Sequence, residues 1–197
     1  MSFEANEYFE GNVKSIAFQT ETLAATRFFK IEAMHLEFST GEQRVYERLP
    51  AGASSGVIVV AINENDELML IREYAAGFHE FQLTLPKGAV DQGETLEVAA
   101  GRELAEEIGF AAREIEFVKC LSIAPGHMGY TINVMFARDL YAKVLPGDEP
   151  EPPEVVLWPL SRLDELLVSD QFNEARAIAA LTLCKARLAA ASATHKI

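Results

Sequence analysis

The apolar positions of this 197-residue chain fall into three regimes of different period. From Val13 to Leu49 they mostly alternate: Val13 to Phe18, then Phe28 to Phe38 with Met34, Leu36 and Phe38 on one side, then Gln43 to Leu49 after a turn at Ser39-Thr40-Gly41. Alternation of period two predicts antiparallel strands, and a sheet this small buries little by itself. Pro50 to Gly56 reads as a linker. The run Gly56 to Ile62 is almost wholly apolar, which suits a central strand covered on both faces, with a partner over Glu67 to Glu73 beyond the turn Asn63 to Asp66. After Phe78 to Pro86 the spacing becomes helical, with Leu96, Ala99, Ala100, Leu104 and Ile108 on one side, Thr95 in the cap region and Gly109 as the stop. Strands return at Ile115–Ile123, Ile132–Leu140 and Val155–Trp158, and helices at Ser161–Leu167 and Asn173–Leu188. The last helix has an apolar stripe through Ala175, Ile178, Ala179, Leu181 and Leu188. Strands flanked by helices in this order predict an α/β fold, an α/β/α sandwich with a mixed sheet, preceded by a small N-terminal antiparallel sheet. The expected division is residues 1–50 for the N-terminal sheet, 51–190 for the main domain and 191–197 for a flexible tail.

The polar side of the helix after Thr95 carries the chemistry. Glu103, Glu106 and Glu107 stand at i, i+3 and i+4, on one helical face, where like charges repel unless something offsets them. Arg102 follows Glu94 by eight residues, about two helical turns, so its guanidinium can grip that carboxylate with both arms. Most acidic runs are solvated faces. Here the order is Gly88, five residues, Glu94, seven residues, Arg102-Glu103, an aliphatic residue, one residue, Glu106-Glu107, one residue, Gly109 and the apolar Phe110. A solvated face has no need of that order. Carboxylates and a backbone carbonyl are hard oxygen donors, which suit Mg²⁺ or Mn²⁺ rather than zinc.

Net charge sharpens this reading. At −13 the chain offers no basic patch for nucleic acid, and it repels an anionic small molecule unless divalent cations reverse the sign locally. Apolar residues at 49% and charged residues at 24% fit an ordinary globule. The longest apolar run is strand-sized, and MSFEANEYFEGN has no secretion-signal core, so no membrane association and a cytoplasmic location are the default expectations. Cys120 and Cys184 have no metal-ligand spacing and read as buried thiols.

The segment GAVDQGETLEVAAGRELAEEIGF resembles the signature of the Nudix hydrolase family at every defined position. That resemblance implies metal-dependent hydrolysis of a nucleoside diphosphate linked to another group. It assigns metal binding to the Gly88 carbonyl, Glu103, Glu106 and Glu107, and a brace between loop and helix to Arg102 and Glu94. Pro125, fifteen residues past Phe110, is similar to a mark of the ADP-ribose-type members, whose N-terminal sheet builds a swapped homodimer. LEFSTGEQRVYERL, LIREYAAG, GDEPEP and FNEARAIAAL look like the ADP compounds hydrolase branch, which implies ADP-ribose, NADH and diadenosine polyphosphates as substrates. The glutamine-aromatic-arginine usual in strict ADP-ribose pyrophosphatases is replaced by Glu73-Tyr74-Ala75, which favours the broader class. The general base is Glu149, or Glu151, of the acidic loop, or Glu106 in the helix. Arg48 and Arg72 are candidates for phosphate or terminal-ribose contacts, and Phe28, Phe29, Tyr46 and Tyr74 for an adenine stack. The competing reading is a module that binds an ADP-ribose-like ligand without cleaving it; such modules lose signature glutamates, and none is missing here.

Overall fold

The computed structural model describes residues 15–52, 55–147 and 150–194, and the chain divides into two units. The first comprises residues 1–52 with 124–130, and the second residues 53–123 with 131–197.

In the first unit β1 (Ser15–Ala25), β2 (Lys30–Phe38) and β3 (Gln43–Arg48) form an antiparallel sheet in that order. β1 runs well past Phe18, and Phe28 and Phe29 lie in the turn before β2 rather than in a strand. The Thr26 hydroxyl closes that turn by accepting from the Phe29 N–H at 2.9 Å. Ala33 is buried, whereas Phe28, Phe29, Val45 and Tyr46 are exposed. The loop 124–130, which the chain order would leave in the main domain, belongs here: the Leu49 N–H donates to the His127 carbonyl and the Gly129 N–H to the Leu49 carbonyl, both at 2.9 Å. Gly129 is required at this crossing, since a Cβ would stand 2.5 Å from the Ala51 nitrogen.

The second unit contains β4 (Gly56–Ala61), β5 (Glu67–Ala75), β6 (Glu80–Thr84), β7 (Lys87–Ala89), α1 (Leu96–Glu107), β8 (Phe110–Ser122), β9 (Thr131–Ala142) and β10 (Glu154–Pro159). A 3₁₀ turn (Leu160–Arg162), α2 (Leu163–Leu167) and α3 (Ala175–Thr194) complete it. One sheet has the order β7-β4-β9-β8 and is mixed, since β4 runs parallel to β9 while β7 and β8 pair antiparallel; the other has the order β10-β5-β6. β4 is buried at every residue, as its unbroken apolar run requires. Alternate residues face opposite layers. Val57, Val59 and Ala61 of β4, with Met135 and Ala137 of β9, pack with Ala99, Ala100, Leu104 and Ile108 of α1. The intervening Ile58, Val60, Val134 and Phe136 are equally buried on the other face, where α3 packs on β4 and β9. This is the α/β/α arrangement, and each aliphatic side chain so buried stabilises it by about 1.5–3 kcal/mol.

The structure differs from the sequence reading at three places. β6 forms where only a lead-in segment was expected, although Glu80, Phe81, Gln82, Leu83 and Thr84 alternate polar and apolar as a strand does, and it pairs with β5. The buried stripe of α3 is Ala177, Ala180, Leu181, Cys184 and Leu188; Ala175, at the first turn, is exposed, and the helix continues to Thr194 instead of giving way to a tail. Cys120 is exposed on β8, while Cys184 is buried and its thiol is pushed up to about 11 by burial.

Candidate active site

The site is built on α1 and the loop that feeds it. Gly93 takes a left-handed conformation (φ +90°), which lets the Glu94 N–H turn back to the Asp91 carbonyl at 3.0 Å. Thr95 caps the helix by accepting from the Val98 N–H at 3.3 Å, and Gly109 (φ +73°) ends it. Both signals were legible in the chain.

Arg102 is the hub. Its Nε and Nη2 donate to the two Glu94 oxygens at 3.0 Å each, the expected two-armed grip. Nη2 also donates to the Ala89 carbonyl at 2.7 Å, and Nη1 reaches Glu103 at 2.7 Å and Glu106 at 3.0 Å. The guanidinium therefore brackets one arm of the loop and two carboxylates of its own helix. Arg102 holds the Glu94 carboxyl below its ordinary range against the opposing effect of burial, and the Asp91 N–H adds to that. Glu94 in turn raises Arg102 well above the usual guanidinium value.

Glu103 is buried directly over Gly88. A Cβ at position 88 would lie 2.0–2.3 Å from the Glu103 carboxylate atoms, so only glycine lets the acid sit against the strand. Glu107 turns the other way and accepts from the Lys87 N–H at 2.9 Å. Burial pushes the Glu107 carboxyl up to about 8; the Lys87 N–H and charge pull it down, and Glu103 and Glu73 add to the rise.

Lys87 and Glu73 belong to the site, although the sequence reading gave neither a role. Met69 and Ile71 of β5 face the core under α1, and the next residue on that face is Glu73, which forms an ion pair with the Lys87 ammonium, 12% exposed. A charged residue continuing an inward-facing apolar row was the available signal. Beside this pair opens a cavity of about 620 Å³, lined in part by Arg72, Tyr74, Phe81, Glu107 and Glu151. Arg72 is at its edge, paired with Glu154 at 3.2 Å. Arg48 is in the first unit, where it pairs with Glu32 at 3.2 Å; Lys30 and Arg48 hold that carboxyl below its usual range, Lys30 having the larger effect. Glu149 lies outside the described residues.

Among the described residues no three His, Cys, Asp or Glu side chains converge on one point as in a preformed metal cage. The acidic face is thus not the open cluster that its spacing suggested, because Arg102 spans Glu103 and Glu106. The donor chemistry nevertheless fits a hard divalent cation: three carboxylates within one helical turn of each other, one of them raised by burial and like charge, beside a glycine backbone that leaves room for oxygen contact.

A protein-family comparison places this geometry. Residues 53–182 match the NUDIX domain, and residues 18–48 match the NudE-type Nudix hydrolase N-terminal domain. The chain belongs to the Nudix family. It is 45% identical, over 87% of its own length and 92% of the other, to the ADP compounds hydrolase NudE of Escherichia coli (strain K12). A crystal structure of an ADP compounds hydrolase superposes with a TM-score of 0.86 at 44% identity, covering 90% of this chain and 96% of that one. At greater distance, the ADP-sugar pyrophosphatase of Mus musculus is 25% identical over 78% of this chain and 79% of its own.

Proposed function

We propose that this protein hydrolyses the diphosphate bond of ADP-linked compounds, with ADP-ribose, NADH and diadenosine polyphosphates as its substrates, and releases AMP. The observation that supports this best is an intact Nudix signature, every glutamate present and placed, in a chain similar along nearly its whole length to an ADP compounds hydrolase. ADP-ribose and water give AMP and ribose 5-phosphate.

The Gly88 carbonyl, Glu103, Glu106 and Glu107 would hold Mg²⁺ or Mn²⁺. Bound there, the cation neutralises charge on the diphosphate oxygens, which a chain of net charge −13 cannot do unaided. Arg102 keeps Glu94 and the loop fixed against α1, while the Lys87 backbone N–H orients Glu107. Glu149 is the first choice for the base that takes the proton from water, Glu151 the other candidate of the same loop and Glu106 the alternative in the helix; Arg72, which lines the cavity, is the candidate for a phosphate or ribose contact. In the first unit Arg48 is the corresponding candidate, and the exposed Phe28, Phe29, Val45 and Tyr46 support a homodimer made through that sheet. The chain divides in function as residues 1–50 for assembly and 51–190 for catalysis. No helix among the described residues is long and apolar enough to cross a membrane, and the working location is the cytoplasm.

The test is AMP release from ADP-ribose, NADH and diadenosine triphosphate with Mg²⁺. AMP from all three is expected, with none in excess EDTA. Tight binding of ADP-ribose without AMP would make the protein a sensor instead. Glu149→Gln should lower kcat about 10²-fold and spare metal affinity; an unchanged kcat transfers the role to Glu106.

A further inference from the structure

The cavity beside Glu107 has one wall that bond cleavage does not use. Tyr74 and Phe81 are directly opposed in the β5–β6 register, with ring centroids 5.7 Å apart at 66°. Tyr74 also meets the edge of His79 at 5.9 Å and 88°, and its hydroxyl is 2.5 Å from His79 Nδ1. Three contacts thus fix the Tyr74 ring, yet Tyr74 remains 50% and Phe81 63% exposed. Aromatic faces held still and left open form a stacking surface whose ordering cost is already met before a ligand arrives.

The rest of the lining narrows the ligand. Pro152 and Pro153 add apolar surface, and Glu151 contributes acceptor oxygens. Among the described residues that line the cavity the one cation is Arg72, which is engaged by Glu154. Away from Arg72 at the edge, the described lining offers a phosphate no cation, whereas a planar ring with N–H donors finds both a face and acceptors. Carboxylates accept from any such donor, and stacking tolerates any ring, so this wall cannot read the edge of one base. It suits the part of the substrate that varies.

We propose that the Tyr74–Phe81 wall stacks the ring of the variable half of the substrate, the group joined through the diphosphate to AMP, and so extends the range from ADP-ribose to dinucleotides. This rests on the reading of the site as a diphosphate hydrolase that releases AMP. ADP-ribose carries only a sugar on that side and gains nothing from the wall.

Analogues of NAD and ADP-ribose with a methylene in place of the bridging oxygen cannot be cleaved there, so calorimetric titration in Mg²⁺ reads binding apart from turnover. Replacing Tyr74 and Phe81 together by alanine should weaken the NAD analogue about tenfold or more and leave the ADP-ribose analogue within about twofold. Tyr74→Phe alone should retain most of the binding, since it keeps the ring. Both positions are half open to solvent, so the double variant should fold, as circular dichroism would verify; if it does not, Tyr74→Leu supplies the same comparison. Equal weakening of both analogues, or no weakening of either, overturns the proposal. If the wild-type chain released no AMP from any substrate, the functional reading would fail while the titration still decided whether the wall selects a ring.

Discussion

The signature segment 88–109 and the N-terminal sheet β1–β3 handle their surfaces in opposite ways. In the signature, four of the six acids are drawn inward and held by a neighbour: Glu94, Glu103 and Glu106 by Arg102, and Glu107 by the adjoining Lys87 N–H, while Asp91 and Glu97 are exposed. In the sheet and its turn, large apolar side chains are exposed, Val45 on β3 and Phe28 and Phe29 between β1 and β2. One region is satisfied by its own sequence. The other presents a surface that its own residues do not complete, and a second copy is the proposed completion.

The largest break in this contrast should come from Gly88→Ala. The added methyl displaces the end of the Glu103 side chain, so kcat/KM should fall by about 10²-fold or more, as a misplaced site group does. The melting temperature should move little, because a flexible carboxylate yields and the backbone does not. A wild-type rate in this variant would show that Glu103 has no need to sit where it does.

Arg102→Lys keeps the charge but loses the fork that reaches Glu94, Glu103, Glu106 and the Ala89 carbonyl. A stability loss of about 1.5–3 kcal/mol is expected in denaturant unfolding, the scale of hydrogen bonds to charged groups. An unchanged midpoint would mean that the loop is held by other contacts.

Glu107 gives a pH test with a definite sign. Its folded value, about 8, lies above the ordinary 4.5, so between these values the folded metal-free protein keeps a proton that the unfolded chain releases. Stability in EDTA should therefore be fullest below about pH 4.5 as far as this group is concerned, decline as pH rises and level off above about 8. Thermal scans of Glu107→Gln against wild type isolate the effect: the two should diverge toward pH 8 with the variant more stable. Parallel curves would refute it.

The smallest effect on folding belongs to the sheet. Val45→Lys and Tyr46→Lys, neighbours on β3 that point to opposite faces of the sheet and are both exposed, should each change monomer stability by less than about 0.5 kcal/mol. If either face of the sheet joins two copies, the molar mass from light scattering should nevertheless fall to that of one chain in the variant that carries both. An unchanged mass would leave the exposed aromatics to another purpose.

What could be read beforehand follows the same division. The Thr95 cap, the Gly109 stop and the Arg102–Glu94 grip depend on residues within two helical turns, and spacing alone finds them. The Glu73–Lys87 pair joins residues fourteen apart, carried by two different sheets, and no local period marks it. β6 is the opposite case, since Glu80 to Thr84 alternate polar and apolar and so carry a local strand signal beside the pairing with β5. Arg102 reaching past Glu94 to Glu103 and Glu106 was missed because helical position gives a face, not the rotamer within it.

The glycines of the signature answer to two different demands. Gly93 and Gly109 are there for the sign of a torsion angle, and asparagine, which tolerates the left-handed region, could replace either at a local cost. Gly88 has no such torsion; it is there for the space that the Glu103 carboxylate fills. An alanine at 88 and the Glu103 carboxylate in its present place exclude one another, so two positions fifteen residues apart constrain each other as one unit.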